Sequence, residues 1–84
     1  ANGRVFAEVS PGVPDGFLIS NIRPDSVYRR MGIMDGDIIQ EVNNRKIQSA
    51  DDIMGLINLV RTAPSMTLGI RRRGNQETLQ FRFQ

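Results

Sequence analysis

With 84 residues, 39 % apolar and 24 % charged, the chain has the size and balance of one folded domain with one thin core, and is too apolar for a disordered segment. It contains no His and no Cys, which excludes His-based triads, Cys nucleophiles, disulfides and the usual zinc, haem and iron–sulfur ligand sets. The 11 basic and 9 acidic residues leave a net charge of +2, whereas a nucleic-acid binder shows a concentrated basic face with interleaved aromatics.

The predicted elements begin with a short strand over Arg4 to Val9. A turn follows over Ser10 to Asp15, where two Pro and a Gly cluster. A second strand spans Gly16 to Ile22, apolar at Phe17, Leu18, Ile19 and Ile22, and Pro24 stops its pairing. Asp25 and Ser26 can cap a turn of helix over Val27 to Met31, which Gly32 ends. A third strand, Ile38 to Val42, leads into the turn pair Asn43-Asn44, residues that tolerate positive φ. Lys46 to Gln48 adds a very short strand. Ser49 then caps the longest helix, with Asp52 in the capping-box position and Asp51 also at the positive end of the helix dipole. Ile53, Leu56, Ile57 and Val60 form its apolar stripe. Two alternating strands close the chain, one on Met66, Leu68 and Ile70 and one on Leu79, Phe81 and Phe83, joined through Arg73-Gly74-Asn75-Gln76. The fold class is mostly β with two helices (α+β), a small antiparallel barrel or sandwich.

No run approaches the roughly 18 apolar residues needed to span a bilayer. Starting at Ala1 without Met or signal peptide, the chain reads as one domain, residues 1–84, of a longer protein whose targeting or membrane segments lie outside it. Arg71-Arg72-Arg73, the one charge run, reads as a solvated hairpin end that keeps a strand edge from pairing with neighbours. Arg29 and Arg30 read as a solvated helix face. Asp35 and Asp37 read as turn residues, since two carboxylates cannot fill a calcium shell and have no catalytic partner here. Ser26, Ser49 and Ser65 lack a local base, and nothing pairs a Ser with Lys46, the single Lys. The expectation is no catalytic residue, no metal and no cofactor.

The stretch Gly32 to Asn43 reads GIMDGDIIQEVN, preceded by Ile22-Arg23-Pro24, and this resembles the PDZ domain pattern. In that pattern Gly32 and Gly36 flank Ile33, which plugs the barrel, Asp37 accepts backbone N–H bonds, and Ile38 and Val42 are core strand positions. Asn44 replaces the Gly that usually follows the Asn. The element order resembles the bacterial, circularly permuted form, in which the last two strands follow the long helix. Val27-Tyr28-Arg29-Arg30-Met31-Gly32 lacks the small residues usual in protease-associated PDZ domains. Together with Ala63 to Gly74 it resembles the PDZ domain of the inner-membrane C protein of type II secretion systems.

The resemblance implies a non-catalytic interaction module whose partner segment pairs with an open strand and packs against the long helix. It places the accepting strand at Arg4 to Ser10, Ala7 included, the facing helix surface at Ala50, Met54, Ile57 and Asn58, and a carboxylate-holding loop around Gly3, Arg4, Val5 and Phe6. Val5 stands where the family's middle Gly would be. Two readings stay open for Met54, a groove residue or an extension of the core stripe, and Phe6 also fits a plain core position. The implied partners are exoproteins or secretion components, with no nucleic acid, in a periplasmic domain reaching the membrane only through other parts of its parent. The alternative is a PDZ domain that presents substrate to, or regulates, a periplasmic protease.

Overall fold

The computed structural model describes residues 7–12 and 16–83. The elements run β1 (Glu8–Pro11), β2 (Phe17–Ser20), α1 (Val27–Arg30), β3 (Ile38–Val42), β4 (Arg45–Lys46), α2 (Ala50–Thr62), β5 (Ser65–Arg72) and β6 (Asn75–Arg82). All six strands join one antiparallel sheet in the order β1-β2-β3-β5-β6, with β4 on β3. Among the described residues β1 and β6 are therefore its edges.

Three strands differ in their bounds from the sequence reading. β1 continues through Ser10 and Pro11, residues assigned to the turn; Pro11 is tolerated because β1 is an edge strand. β2 stops at Ser20, because Asn21 adopts φ 51°, a left-handed conformation that ends the extended run. Ile22 is nevertheless buried beyond the strand end. The short β4 takes Arg45 and Lys46 rather than Lys46 to Gln48. Asn43 and Asn44 both have positive φ, as their turn requires.

The core gathers Ile19, Ile33, Ile39, Leu68 and Ile70 from the sheet and its loops, with Ile53 and Leu56 from α2. Ile33 is fully enclosed, as the motif implies. Ile38, expected in the core, is half-buried, and its neighbour Ile39 takes that place. Strand alternation explains the exchange, since adjacent side chains face opposite sides of the sheet.

Both helix starts follow the sequence chemistry. Ser26 Oγ accepts from Arg29 N–H, and Ser49 and Asp52 form a reciprocal capping box on α2. Gly32, after α1, has φ +92°, and an added Cβ there would meet only Leu79 Cδ2 at 3.9 Å. The position is thus open in space but restricted in backbone angle. Gly32→Val is expected to cost about 1–3 kcal/mol from backbone strain alone, read as a lowered denaturation midpoint; an unchanged midpoint would contradict this turn geometry.

A salt-bridged clamp fastens the α1 loop to the sheet. Asp37 is 1 % exposed. Arg72 Nε donates to its Oδ1 at 2.9 Å and Arg72 Nη2 to its Oδ2 at 2.7 Å, a bidentate fork. Met34 N–H also donates to Asp37 Oδ2 at 2.8 Å, and Arg72 Nη2 to the Gly32 carbonyl at 2.8 Å. The hydrogen bond to Asp37 raises the Arg72 pKa further above its ordinary value, so the guanidinium stays charged. Arg72 is therefore not part of a solvated run; the structure divides Arg71-Arg72-Arg73 into three roles. Arg73 occupies the hairpin turn with φ 53°, and Arg71 Nη1 donates to the Gly74 carbonyl at 3.0 Å. Arg29 and Arg30 are exposed, in keeping with the solvated-face reading, and Arg29 Nη2 in addition donates to the Ile22 carbonyl at 2.7 Å. Asp35 Oδ1 accepts from Ile22 N–H at 2.9 Å, which makes both acids turn residues as expected.

Candidate functional site

The register of β1 decides which backbone groups are free. Gly12 N–H donates to the Gly16 carbonyl at 2.9 Å, so Gly12 and Gly16 form a hydrogen-bonded pair. In an antiparallel ladder such pairs alternate with non-bonded ones. Ser10↔Leu18 and Glu8↔Ser20 then bond across, while Val9↔Ile19 and Pro11↔Phe17 do not. Val9 therefore turns its N–H and C=O to the open edge, and Pro11 offers only a carbonyl. Ile19 agrees with this phase: it bonds away from β1, through its N–H to the Asp37 carbonyl at 2.9 Å and through its carbonyl to Gly36 N–H at 2.8 Å. The open edge of β1 thus stands on β2, which the clamped turn at Asp37 holds in place.

Exposed apolar side chains occur on both β1 and α2, whose ends approach each other where Pro11, Gly12 and Ala50 line one cavity. Val9 lies across from the buried Ile19, hence on the core face of the sheet, yet is 44 % exposed. Ala7, two residues earlier on the same face, packs against the core. On α2, Met54 is 61 % exposed. Met54 thus lies outside the core stripe, which consists of Ile53 and Leu56 with Ile57 and Val60 half-buried. Ala50, Met54, Ile57 and Asn58 are spaced by three and four residues and so share one helix face. Ala50 and Asn58 are exposed, and Ile57 packs partly on the core. Val9 and Met54 are two of the three large apolar side chains exposed among the described residues, the third being Met34. Of the residues named from sequence, Ala7 is thus placed just before β1, and Ala50, Met54, Ile57 and Asn58 on one face of α2. Gly3, Arg4, Val5 and Phe6 lie outside the described residues. Sequence reading did not single out Val9; its signal was the alternation with Ala7.

A polar cavity of about 890 Å³ opens where β1 ends and α2 begins, touching Pro11, Gly12, Lys46, Ala50, Glu41 and Arg71. A register shift in β3 between Ile39 and Glu41 lets Gln40 and Glu41, neighbours in sequence, both line it. Among the described residues no group of acids could hold a metal ion.

No family model matches the chain. Curated relatives include the serine protease HTRA3 of Mus musculus, 35 % identical over 69 residues, and the mitochondrial serine protease HTRA2 of Bos taurus, 38 % identical over 69 residues. Each alignment covers 82 % of this chain and 14 % of the relative. A probable periplasmic serine endoprotease, DegP-like, of Marinomonas sp. (strain MWYL1) is 28 % identical over 77 % of this chain and 14 % of its own length. The chain therefore spans about one seventh of the curated relatives it matches. Among solved structures, the HtrA3 PDZ domain bound to the phage-derived ligand FGRWV superposes with a TM-score of 0.71 and 24 % identity, covering 94 % of this chain and 82 % of that one. The PDZ domain of EpsC from Vibrio cholerae superposes with a TM-score of 0.64 and 20 % identity, covering 93 % of this chain and 78 % of that one.

Proposed function

We propose that this chain, which has the PDZ fold, is a binding module that takes up an extended protein segment as an extra strand on the open edge of β1, against the α2 face carrying Met54. The observation behind the reading is the unbonded backbone at Val9, on an edge strand that, like α2, carries an exposed large apolar side chain, Val9 on β1 and Met54 on α2. Main-chain bonds supply sequence-independent affinity, and the helix face selects side chains. Met is suited to that task, because its flexible thioether adapts to varied partners. PDZ domains are binding modules, and in this reading the chain recognises its partner rather than transforming it.

Two parents fit such a module. The HTRA and DegP-like relatives support a protease parent, in which the module presents substrate segments to the enzyme or regulates it. The large residues Val27, Tyr28 and Met31 before Gly32, and the EpsC likeness, support a type II secretion parent, in which exoproteins or other secretion components are the partners. The periplasm is the location in the secretion reading, and the DegP-like relatives support it for a protease parent. The test of the shared function is selection from random peptide libraries displayed on phage, one with free C-termini and one with the peptide fused internally. Recovery of related sequences that bind the isolated domain is expected; a domain that enriches no sequence from either library would contradict the proposal. The full sequence of the parent chain separates the two readings: a protease domain in it decides for the first, an N-terminal membrane helix without one for the second.

A further inference from the structure

The cavity at the end of β1 carries one feature that the groove does not use. Arg71 Nε is buried and has no hydrogen-bond partner, although Arg71 is fastened through Nη1 to the Gly74 carbonyl. Buried donors are nearly always satisfied, so this one calls for an explanation, and the Arg71 residue that carries it lines the cavity. Lys46 lines the same cavity, and the acid that shares it, Glu41, lies directly across from Lys46 in the β3–β4 register. No ion pair within 4.0 Å joins Glu41 or Lys46 to another side chain among the described residues. Two cations against one anion leave the cavity with an excess positive charge beside an unused N–H donor.

Its position relative to the groove gives the ligand. A strand added to β1 can bond to Val9 through both N–H and C=O but to Pro11 only through its carbonyl, so the ladder weakens there. Pro11 and Gly12 line the cavity, as does Ala50 on the groove face of α2. A segment leaving the groove at Pro11 therefore passes over the mouth of the cavity. We infer that this cavity is a second subsite, in which Arg71 and Lys46 take an acidic side chain, Asp or Glu, from the flank of the peptide that leaves the groove beyond Pro11. The inference rests on the strand-addition reading above. A carboxylate suits Arg71 because an ionised acceptor makes shorter and stronger bonds to a guanidinium than a neutral one.

The probes are the peptides selected from the phage libraries, each synthesised also with its flanking acid changed to the matching amide. Selection is expected to enrich Asp or Glu on the flank beyond the strand-forming positions. Arg71→Met is expected to weaken acid-bearing peptides by roughly tenfold, the scale of one charge-assisted bond, and to leave the amide versions unchanged. Lys46→Glu, at an exposed position, is expected to act in the same direction, and keeps the test valid if Arg71→Met does not fold. Absence of acid enrichment, or equal loss for acid and amide peptides, overturns the subsite. If Met54→Glu abolishes binding while neither variant is selective for the acid, the groove stands and the subsite falls. If the wild-type domain selects no peptide, both fall.

Discussion

Asp37→Ala is expected to lower the stability of the domain by about 3 kcal/mol, the lower end of the range for breaking a buried ion pair. For a domain of this size that corresponds to a fall in melting temperature of roughly 12–24 °C. The reason is the number of groups the carboxylate satisfies. It accepts both arms of the Arg72 fork and the Met34 N–H from a site that is 1 % exposed. The Arg72 side chain keeps 21 % of its surface in water, so its charge is not stranded completely, which holds the cost to the lower end. Thermal unfolding followed by circular dichroism measures the effect. A second set of melts tests the cause: in an Arg72→Met background, Asp37→Ala should cost distinctly less, since the pair is already broken. Equal costs in both backgrounds would show that the fork is not what Asp37 contributes.

Met54→Glu is expected to reduce affinity for the phage-selected peptides by at least roughly tenfold, through loss of apolar contact and burial of an unpaired carboxylate against the partner. The melting temperature should stay nearly unchanged. Met54 is 61 % exposed on a helix, Glu is a good helix former, and exposed substitutions of this kind stay within about 0.5 kcal/mol. Met54→Leu, close in volume, should retain most of the affinity. Titration calorimetry with the selected peptides gives the values. A stably folded Met54→Glu domain that binds as tightly as wild type would remove α2 from the site.

Much of this architecture was legible because it is written in local chemistry. The spacing of Gly32, Gly36 and Asp37, the Ser49/Asp52 box and the Asn43-Asn44 turn each act over a few residues, and the structure keeps all of them. Met54 could be picked out because an apolar residue off the Ile53/Leu56 stripe has no core to enter. What escaped the sequence is long-range or depends on phase. Arg72 and Asp37 are separated by 35 residues, and three consecutive Arg look alike until the β5–β6 register sends them to different places. The open backbone at Val9 follows from which cross-strand pairs are hydrogen-bonded, a phase that composition does not encode. Pro11 reads as a turn residue unless the strand is known to be an edge, where its missing N–H carries no penalty.

In the proposed complex a partner's backbone joins the sheet at β1, between that strand and α2. Intermolecular nuclear Overhauser contacts between an isotope-labelled domain and a selected peptide test it most directly. Backbone contacts are expected from the peptide to Val9 on the open edge and to Ala7 just before β1, together with peptide side-chain contacts to the Met54 methyl. A peptide that binds while leaving both β1 and Met54 untouched would contradict it.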